Sequence, residues 1–315
     1  MKQNLKRAAA LFLTAVLLCS SLAPAALASE GGDTVHIQSA GDLTALAQAC
    51  TLDSWSQGKT VVLDSDVDVS GSGFASIPTF GGTFDGQGHT ISGLSITGSG
   101  DTRGLFRYIQ SGGSVKNLTV TGTINPSGRQ DVLGGIVGSN RGAVANCSFS
   151  GTITGKNSVG GIAGINQEGG QIVNCSFSGA LTGEHYAGGI AGQNFGSLIQ
   201  CENTGSVNIT EVKSTVDRET LDLEQPNNIE NAPVCTDIGG VAGFSSGIIQ
   251  GCSNAGDVGY AHVGYNVGGI AGRQSGDLDG CSHAGPVRGR KGVRGIVGQL
   301  EPEVIEAFRK GGLDQ

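Results

Sequence analysis

The sequence predicts an all-β protein built as a parallel β-solenoid, in which each turn of the chain stacks on the one before it. A Gly-Gly pair recurs at intervals of about 26 to 29 residues, with one longer interval of about 51. A row of cysteines keeps the same period and the same interruption, so two independent markers define one repeat. The apolar segments between the markers are short and separated by Gly, Asn and Ser, which is typical of brief strands joined by tight bends. None of these segments has the 3.6-residue period of an ordinary helix.

The composition agrees with this fold and excludes several classes of protein. Glycine accounts for 56 of the 315 residues without a Gly-x-y period, which excludes collagen and suits a short coil that must turn several corners. A hydrophobic content of 37% argues against disorder. The net charge of −8 and the isoelectric point near 5.1 disfavour nucleic acid and anionic membranes as partners.

Residues 1–28 have the features of a secretory signal peptide. A positively charged start precedes an apolar run over residues 8–18, and the small residues Ala26 and Ala28 match a signal-peptidase site. A lipoprotein site at Cys19 is the competing interpretation, although a leucine precedes it where a small residue is expected. No later stretch reaches ~20 apolar residues. We therefore expect an exported mature chain, secreted or held at the cell surface, without a membrane span.

Residues 29–103 are expected to hold an N-terminal cap and the first coils. Ser39 precedes "AGDLTALAQAC", which predicts a short capped helix with Leu43 and Leu46 on one face. Because an uncovered solenoid end can pair with other chains, we expect this helix to cover the first coil. The glycine-punctuated run "FGGTFDGQGHTISGLSI", residues 80–96, indicates further coils with tight turns.

Residues 104–300 carry the repeats. After each repeat cysteine, a glycine follows four residues later and an aliphatic residue six residues later. A degenerate copy over residues 114–124 has Asn117-Leu118 where the next copy has Asn146-Cys147. The asparagines before the cysteines are expected to stack their side-chain amides at a bend, as asparagine ladders do in stacked strands. After Pro302 the pattern stops, and residues 301–315 are expected to form a C-terminal tail or a short capping helix.

The repeat pattern "VGGIAGxNxGxIxNCxxxGxxxG" resembles the GLUG-motif repeat of bacterial surface proteins. The run "FGGTFDGQGHTISGL" is similar to the coil that opens many right-handed β-helices of pectin-lyase-like architecture. The resemblance extends from about Val35 to Leu300 and implies a single-stranded right-handed parallel β-helix, exported and adhesin-like. Related proteins include the N-terminal regions of IgA-cleaving zinc metalloproteases. Their His-Glu-x-x-His motif is absent from this sequence, so the resemblance implies no proteolysis here.

The cysteine position is interpreted as a structural one. One coil places leucine where five coils place cysteine, so the position requires a modest apolar side chain. Stacked Cα atoms ~4.8 Å apart are within disulfide range, but their parallel Cβ vectors do not converge on a bond or on a tetrahedral zinc site. Disulfides, and after them metal binding or catalysis, are the alternatives. The predicted structural ladder consists of Leu118, Cys147, Cys175, Cys201, Cys252 and Cys281.

Few other residues suggest chemistry. Asp64, Asp66 and Asp68 alternate along a predicted strand, so their carboxylates could meet a Ca²⁺ ion, or could simply face solvent. The five histidines lie in different coils without paired spacing, so neither a zinc set nor a Ser-His-Asp triad is indicated. We expect no catalytic residue and no cofactor.

The long interval contains an acidic insertion, residues 208–237, which has no glycine. Insertions in solenoids emerge as loops on one face, and such loops often bind ligands; the alternative is a tolerated excursion without a ligand. The binding candidates in the insertion are Glu211, Asp217, Glu219, Asp222 and Glu224. A basic cluster follows two coils later and is either a polar rim or a partner for the acidic loop. This basic cluster consists of Arg288, Arg290, Lys291 and Arg294.

Together these features predict a secreted, non-enzymatic β-helical repeat protein that serves adhesion, surface display or assembly at the bacterial envelope. Its expected partners are glycans or surface proteins of a host or of the envelope. One alternative is a polysaccharide-active enzyme, because lyases and hydrolases share the architecture, although glycoside hydrolysis needs two facing carboxylates and the coils are poor in acids. The other alternative is a truncated N-terminal module of a larger surface protein.

Overall fold

The computed structural model describes residues 33–209, 235–261 and 263–301. The chain divides into two units, Met1–Thr34 and Val35–Gln315, and the second unit forms a parallel β-solenoid of about nine turns. Strands make up 53% of the structure, and the described residues contain one helix. The predicted all-β parallel β-helix with a short N-terminal capping helix is therefore confirmed.

Within the described residues, thirty short strands and one helix follow each other along the chain. The first part contains β1 (Thr34–Ile37), α1 (Ala40–Ala49), β2 (Thr60–Leu63), β3 (Val67–Asp68), β4 (Ile77–Phe80), β5 (Thr83–Asp85), β6 (Thr90–Ile96), β7 (Phe106–Ile109) and β8 (Ser114–Ile124). The middle part contains β9 (Asp131–Gly134), β10 (Val137–Asn140), β11 (Ala143–Thr154), β12 (Asn157–Gly160), β13 (Ala163–Asn166), β14 (Gln171–Val173), β15 (Ser176–Thr182), β16 (His185–Gly188), β17 (Ala191–Asn194), β18 (Ser197–Ile199), β19 (Glu202–Asn203) and β20 (Ser206–Val207). The last part contains β21 (Thr236–Gly239), β22 (Ala242–Ser245), β23 (Ile248–Gln250), β24 (Ser253–Asn254), β25 (Tyr265–Gly268), β26 (Ala271–Gln274), β27 (Leu278–Asp279), β28 (Ser282–His283), β29 (Lys291–Arg294) and β30 (Val297–Leu300).

Each complete repeat coil contributes strands to three parallel sheets, here called sheets A, B and C. Sheet A has sixteen strands, among them β8, β11 and β15; sheet B runs from β4 to β30; and sheet C runs from β9 to β29. The pairing is in register, so equivalent positions of successive repeats lie opposite each other. Leu118 pairs with Cys147, for example, and Phe149 with Phe177.

The Gly-Gly pairs allow this close stacking. A Cβ atom added to Gly161 would collide with the carbonyl oxygen of Gly189 in the next coil and with the ring of Phe177. The ring of Phe177 instead stacks on that of Phe149, with centroids 6.3 Å apart and planes 8° from parallel. Burial of each such apolar side chain contributes roughly 1.5–3 kcal/mol, which offsets the backbone entropy lost at the glycines.

A row of buried amides, here called the inner amide row, runs through the same interior and was not predicted. Asn140, Asn166 and Asn194 are fully buried at equivalent positions. The side-chain nitrogen of Asn140 donates to the side-chain oxygen of Asn166 at 2.8 Å, and that of Asn166 donates to Asn194 at 2.9 Å. Each hydrogen bond therefore points towards the next coil. Since the amide groups satisfy one another, they can be buried without a large desolvation cost.

The helix α1 covers the first coil as predicted. Ser39 is its N-cap, and the hydroxyl oxygen of Ser39 accepts from the backbone N–H of Asp42 at 3.2 Å. Leu43 and Leu46 are buried, and the helix packs against β4. The start of the solenoid is therefore closed by the chain itself.

Candidate functional site

The six positions of the predicted structural ladder lie in one row on successive coils. Five of these side chains are at most 2% exposed, and Cys281 in the last described coil is half-buried. All seven cysteines of the described residues are free thiols. The backbone N–H of Cys147 donates to the sulfur of Cys175 at 3.4 Å, and Cys201 makes the same contact with Cys252. The row is therefore continuous with the apolar interior.

The surroundings of Cys175 and Cys252 disfavour the ionised form of their thiols. The hydrogen bond between Cys201 and Cys252, together with burial, raises the pKa of Cys252 to about 12. The hydrogen bond with Cys147 and burial also raise the pKa of Cys175. Because the thiolate is the reactive form, Cys175 and Cys252 are not activated as nucleophiles at neutral pH.

The three aspartates proposed as a Ca²⁺ site take separate partners. Asp64 contacts the imidazole of His36 at 3.0 Å, which is the largest cause of its lowered pKa. Asp66 accepts from a backbone N–H at 2.8 Å, and Asp68 accepts from a neighbouring serine hydroxyl at 2.5 Å. Among the described residues, no group of three or more His, Cys, Asp or Glu side chains is placed to hold a metal ion. Local hydrogen bonds therefore direct the three carboxylates to different partners, and Ca²⁺ binding at these residues stays an untested alternative.

The asparagines beside the cysteines form a second, outer amide row. Asn174 donates to Asn146 at 2.8 Å, Asn146 donates to Asn117 at 3.1 Å, and Asn117 donates to the carboxylate of Asp85 at 3.0 Å. The row therefore points towards the start of the solenoid. All three asparagines have positive φ values between 51° and 54°, a conformation that asparagine adopts more readily than most residues. The stacked amides that the sequence predicts are confirmed.

An open depression of about 330 Å³ lies over the outer amide row. Asn146, Asn174 and Gln200 line it together with Ser148, Ser176 and Glu202. It offers amides and hydroxyls but no pair of carboxylates and no activated nucleophile. Its chemistry therefore suits weak polar contacts.

The binding candidates of the insertion, Glu211, Asp217, Glu219, Asp222 and Glu224, lie outside the described residues. The described chain stops at Ile209 and resumes at Cys235. On either side, β16 pairs directly with β21 and β17 with β22. The insertion therefore interrupts one coil without interrupting the stack.

The basic cluster does not act as one group. Arg288 lies 3.5 Å from the carboxylate of Asp257, and the guanidinium of Arg290 lies over the ring of Tyr265 at 5.9 Å. Lys291 and Arg294 are exposed at the two ends of β29. The cluster is spread along the edge of the last described coil.

The outer face of the stack carries a group of aromatic side chains and one arginine that the sequence analysis missed. The ring of Phe244 lies 6.2 Å from that of Tyr186 and 5.9 Å from that of Phe195, in edge-to-face geometry. The guanidinium of Arg273 lies 4.8 Å from the centre of the Phe244 ring. Phe195 is 37% exposed, and Tyr186 and Phe244 are half-buried. We call these four residues the aromatic patch.

The register of the solenoid assembles this patch. Gln193, Phe244 and Arg273 occupy the same outward position of three successive coils, in β17, β22 and β26. The position was visible in the sequence as the fourth residue after the second glycine of each Gly-Gly pair. The residue type at this position changes from polar to aromatic to basic along the three coils. Neither the composition nor the repeat motif therefore indicates a shared surface there.

Two carboxylates hold Arg273 in place. Its guanidinium lies 3.4 Å from the side chain of Asp237 and 3.2 Å from that of Glu301. Partial burial opposes the charge, but these carboxylates outweigh burial and raise the pKa of Arg273. The patch therefore presents a flat, permanently charged group beside exposed aromatic rings.

Comparison with known proteins agrees with the repeat architecture. The GLUG motif matches residues 132–154 and 155–182. These residues extend from β9 to β15 in the structure and include two of the Gly-Gly pairs, two of the repeat cysteines and two asparagines of each amide row. The chain therefore carries GLUG-motif repeats within a parallel β-helix.

One curated relative of this GLUG-repeat protein is Halomucin from Haloquadratum walsbyi (strain DSM 16790 / HBSQ001). The two are 36% identical over 145 residues, which cover 42% of this chain and 2% of Halomucin. The chain thus spans only a small part of that relative's length. No solved structure matches the chain. The motif and the relative together indicate a surface-type repeat protein, and no described helix is long and apolar enough to cross a membrane.

Proposed function

We propose that this protein is a non-enzymatic module displayed outside the cell, and that it binds glycans of a host or of the bacterial envelope through the aromatic patch. The observation that carries the proposal is the group of Tyr186, Phe195 and Phe244 around Arg273 on the outer face of the stack. A clustered exposed apolar surface with a polar rim is a common mark of a binding site.

The chemistry of the patch suits a sugar better than a purely apolar ligand. Aromatic rings provide the flat apolar surface on which the C–H face of a pyranose packs, and charged or amide groups beside them fix its hydroxyls. Arg273 offers guanidinium N–H donors, Glu301 offers a carboxylate acceptor, and Gln193 offers an amide in the neighbouring coil, while the buried Asp237 helps to hold Arg273 in place. The rigid parallel sheet under the patch keeps these groups in place without a ligand.

The fold sets the direction of the Tyr186 ring. Its φ value is 55°, in the left-handed region that bulky residues seldom adopt. Positive φ values recur at the equivalent positions Val132, Ser158, Asp237 and Asn266, so the fold imposes this conformation on each coil. A tyrosine at this position directs an aromatic ring onto Phe244.

A binding experiment tests the proposal. The mature chain, residues 29–315, is applied to an array of host and envelope glycans, and the hits are titrated in solution. Phe244→Ala is expected to weaken binding at least about tenfold, because central aromatic anchors typically contribute 2 kcal/mol or more. Leu52→Ala is the matched control, since Leu52 is 62% exposed on a distant turn. Equal glycan affinity of the Phe244→Ala variant, or turnover of a glycan, would contradict the proposal.

A polysaccharide-active enzyme remains the second candidate because of the shared architecture. The described residues supply no specific observation in its favour, since Asp237 and Glu301 are both ion-paired to Arg273. Hydrolysis needs one carboxylic acid and one free carboxylate across the bond. Turnover on the same array is therefore the observation that would replace the first candidate by the second.

A further inference from the structure

The last described coil exposes core-facing side chains that the coil before it buries. Ile270 is fully buried, whereas Ile296 at the equivalent position is 39% exposed. Leu300 is 69% exposed, and Val293 and Val297 are only half-buried. Among the residues that the structure describes, none covers these side chains, and we call this end of the described stack the open end.

The backbone of the same coil is also unpaired on its outer side. Within the described part of the chain, β27, β28, β29 and β30 each pair only with the preceding coil. The buried Nε2 atom of His283, next to this edge, has no hydrogen-bond partner in the structure. Unpaired edges and open apolar ends invite a further layer of β-structure.

The two ends of the solenoid differ, and this difference limits how copies can associate. At the first coil α1 covers the interior, with Leu43 and Leu46 buried beneath it. A head-to-tail stack of copies would place this helix against the open end and would leave an open end on the last copy. A two-fold axis that joins two open ends covers both of them and closes after two copies.

The charges at the open end agree with such a pairing. Asp277 and Asp279 are exposed on the edge of sheet A, and Lys291 and Arg294 are exposed on the edge of sheet C. The edge of sheet B, formed by β30, carries no charge. A two-fold axis through β30 sets β30 antiparallel to its copy and brings the acidic edge of each copy to the basic edge of the other.

We propose that two copies of this chain associate end to end through the open coil, with β30 against β30. The pairing covers Ile296, Leu300 and the half-buried Cys281, and it supplies partners for the free edges of β27 to β30. The inference is independent of the glycan-binding proposal, because the aromatic patch lies on an outer face and this interface lies on the end of the stack.

The experiment measures mass and thiol reactivity over a concentration series of the mature chain under reducing conditions. Analytical ultracentrifugation is expected to show a monomer that becomes a dimer as concentration rises. Labelling of Cys281, identified by peptide mapping, is expected to slow at least about tenfold over the same range. Leu300→Lys is expected to remain monomeric with reactive Cys281 at every concentration. Leu52→Lys, a similar change at an exposed residue far from this end, is expected to dimerise normally.

A charge exchange tests the pairing independently of the apolar contacts. Lys291→Glu is expected to weaken the dimer, and the double variant Lys291→Glu with Asp279→Lys is expected to restore it. Circular dichroism shows whether each variant folds.

Three results would overturn the proposal. The first is a monomer at all concentrations. This outcome includes a monomer in which residues 302–315 protect Cys281. In that case deletion of residues 302–315 would make the Cys281 thiol reactive. The second is a dimer that survives Leu300→Lys, which would use another face. The third is a double variant that fails to recover.

Discussion

Replacement of Asn166 by alanine tests whether the inner amide row is needed for stability. The side-chain nitrogen of Asn166 donates to the carbonyl of Gly170 at 3.1 Å and to Asn194 at 2.9 Å, and its oxygen accepts from Asn140 at 2.8 Å. In the variant the buried side-chain oxygen of Asn194 loses its donor and Asn140 loses one acceptor, whereas the carbonyl of Gly170 still accepts from the backbone N–H of Ser197. An unsatisfied buried group costs about 1–3 kcal/mol, so we expect a loss of about 2–4 kcal/mol in the free energy of unfolding.

The matched control lies in the outer amide row. Asn174 makes a comparable 2.8 Å hydrogen bond to Asn146, but it is exposed and its φ value is 51°. Glycine tolerates this conformation and already occupies the equivalent positions Gly251 and Gly280. Asn174→Gly is therefore expected to cost less than about 1 kcal/mol. Urea unfolding followed by circular dichroism compares the two variants. A cost for Asn166→Ala no larger than that for Asn174→Gly would refute the role assigned to the inner row.

Three further predictions concern the thiols and the acidic strand. In dilute folded protein, a maleimide reagent should label Cys281 and leave the six buried thiols protected, whereas urea should expose all seven; rapid native labelling of the buried row would contradict its placement. Cys175→Leu should cost less than about 1.5 kcal/mol because Leu118 fills the same position, while Cys175→Asp should unfold the central coils, as thermal melting would show. Hydrogen bonds lower the pKa values of Asp64 and Asp66, so their contribution to stability is present above the unfolded pKa of about 4 and is lost as pH falls through the lower folded values. Melting temperatures from neutral to acid pH should therefore fall less steeply in an Asp64→Asn, Asp66→Asn variant, and an equal slope would argue against these contacts.

Much of the fold could be predicted from the sequence because each structural requirement of a stacked repeat recurs in several copies of that repeat. Leu118 occupies the repeat position at which later coils have cysteine. This difference identified a buried column from the sequence alone. The asparagines that precede Leu118, Cys147 and Cys175 identified the outer amide row. The helix over the first coil followed from Ser39 and the spacing of Leu43 and Leu46, because a helix cap depends on local sequence alone.

The rest required the register between coils. Asn166 is a polar residue among glycines, and only the stacking of coils shows that its neighbours are other amides within the interior. One column even changes character, from Phe177 to Asn203 to Asn254, which are all fully or almost fully buried. The aromatic patch joins Tyr186 and Phe244 across the long insertion, and their separation in sequence concealed their contact in space. Single-residue motifs do not carry such information, because it depends on which residues the fold brings together.

The opposite directions of the two amide rows have an electrostatic consequence for a protein made of repeats. Hydrogen bonds of the inner row point towards the last coil, and those of the outer row point back to the carboxylate of Asp85. Rows aligned in one direction would add their dipoles with every coil, as peptide units do in a helix, and would concentrate partial charge at both ends. Opposed rows cancel much of this field. Where coils carry both rows, the ends of the stack therefore receive less partial charge than two aligned rows would place there.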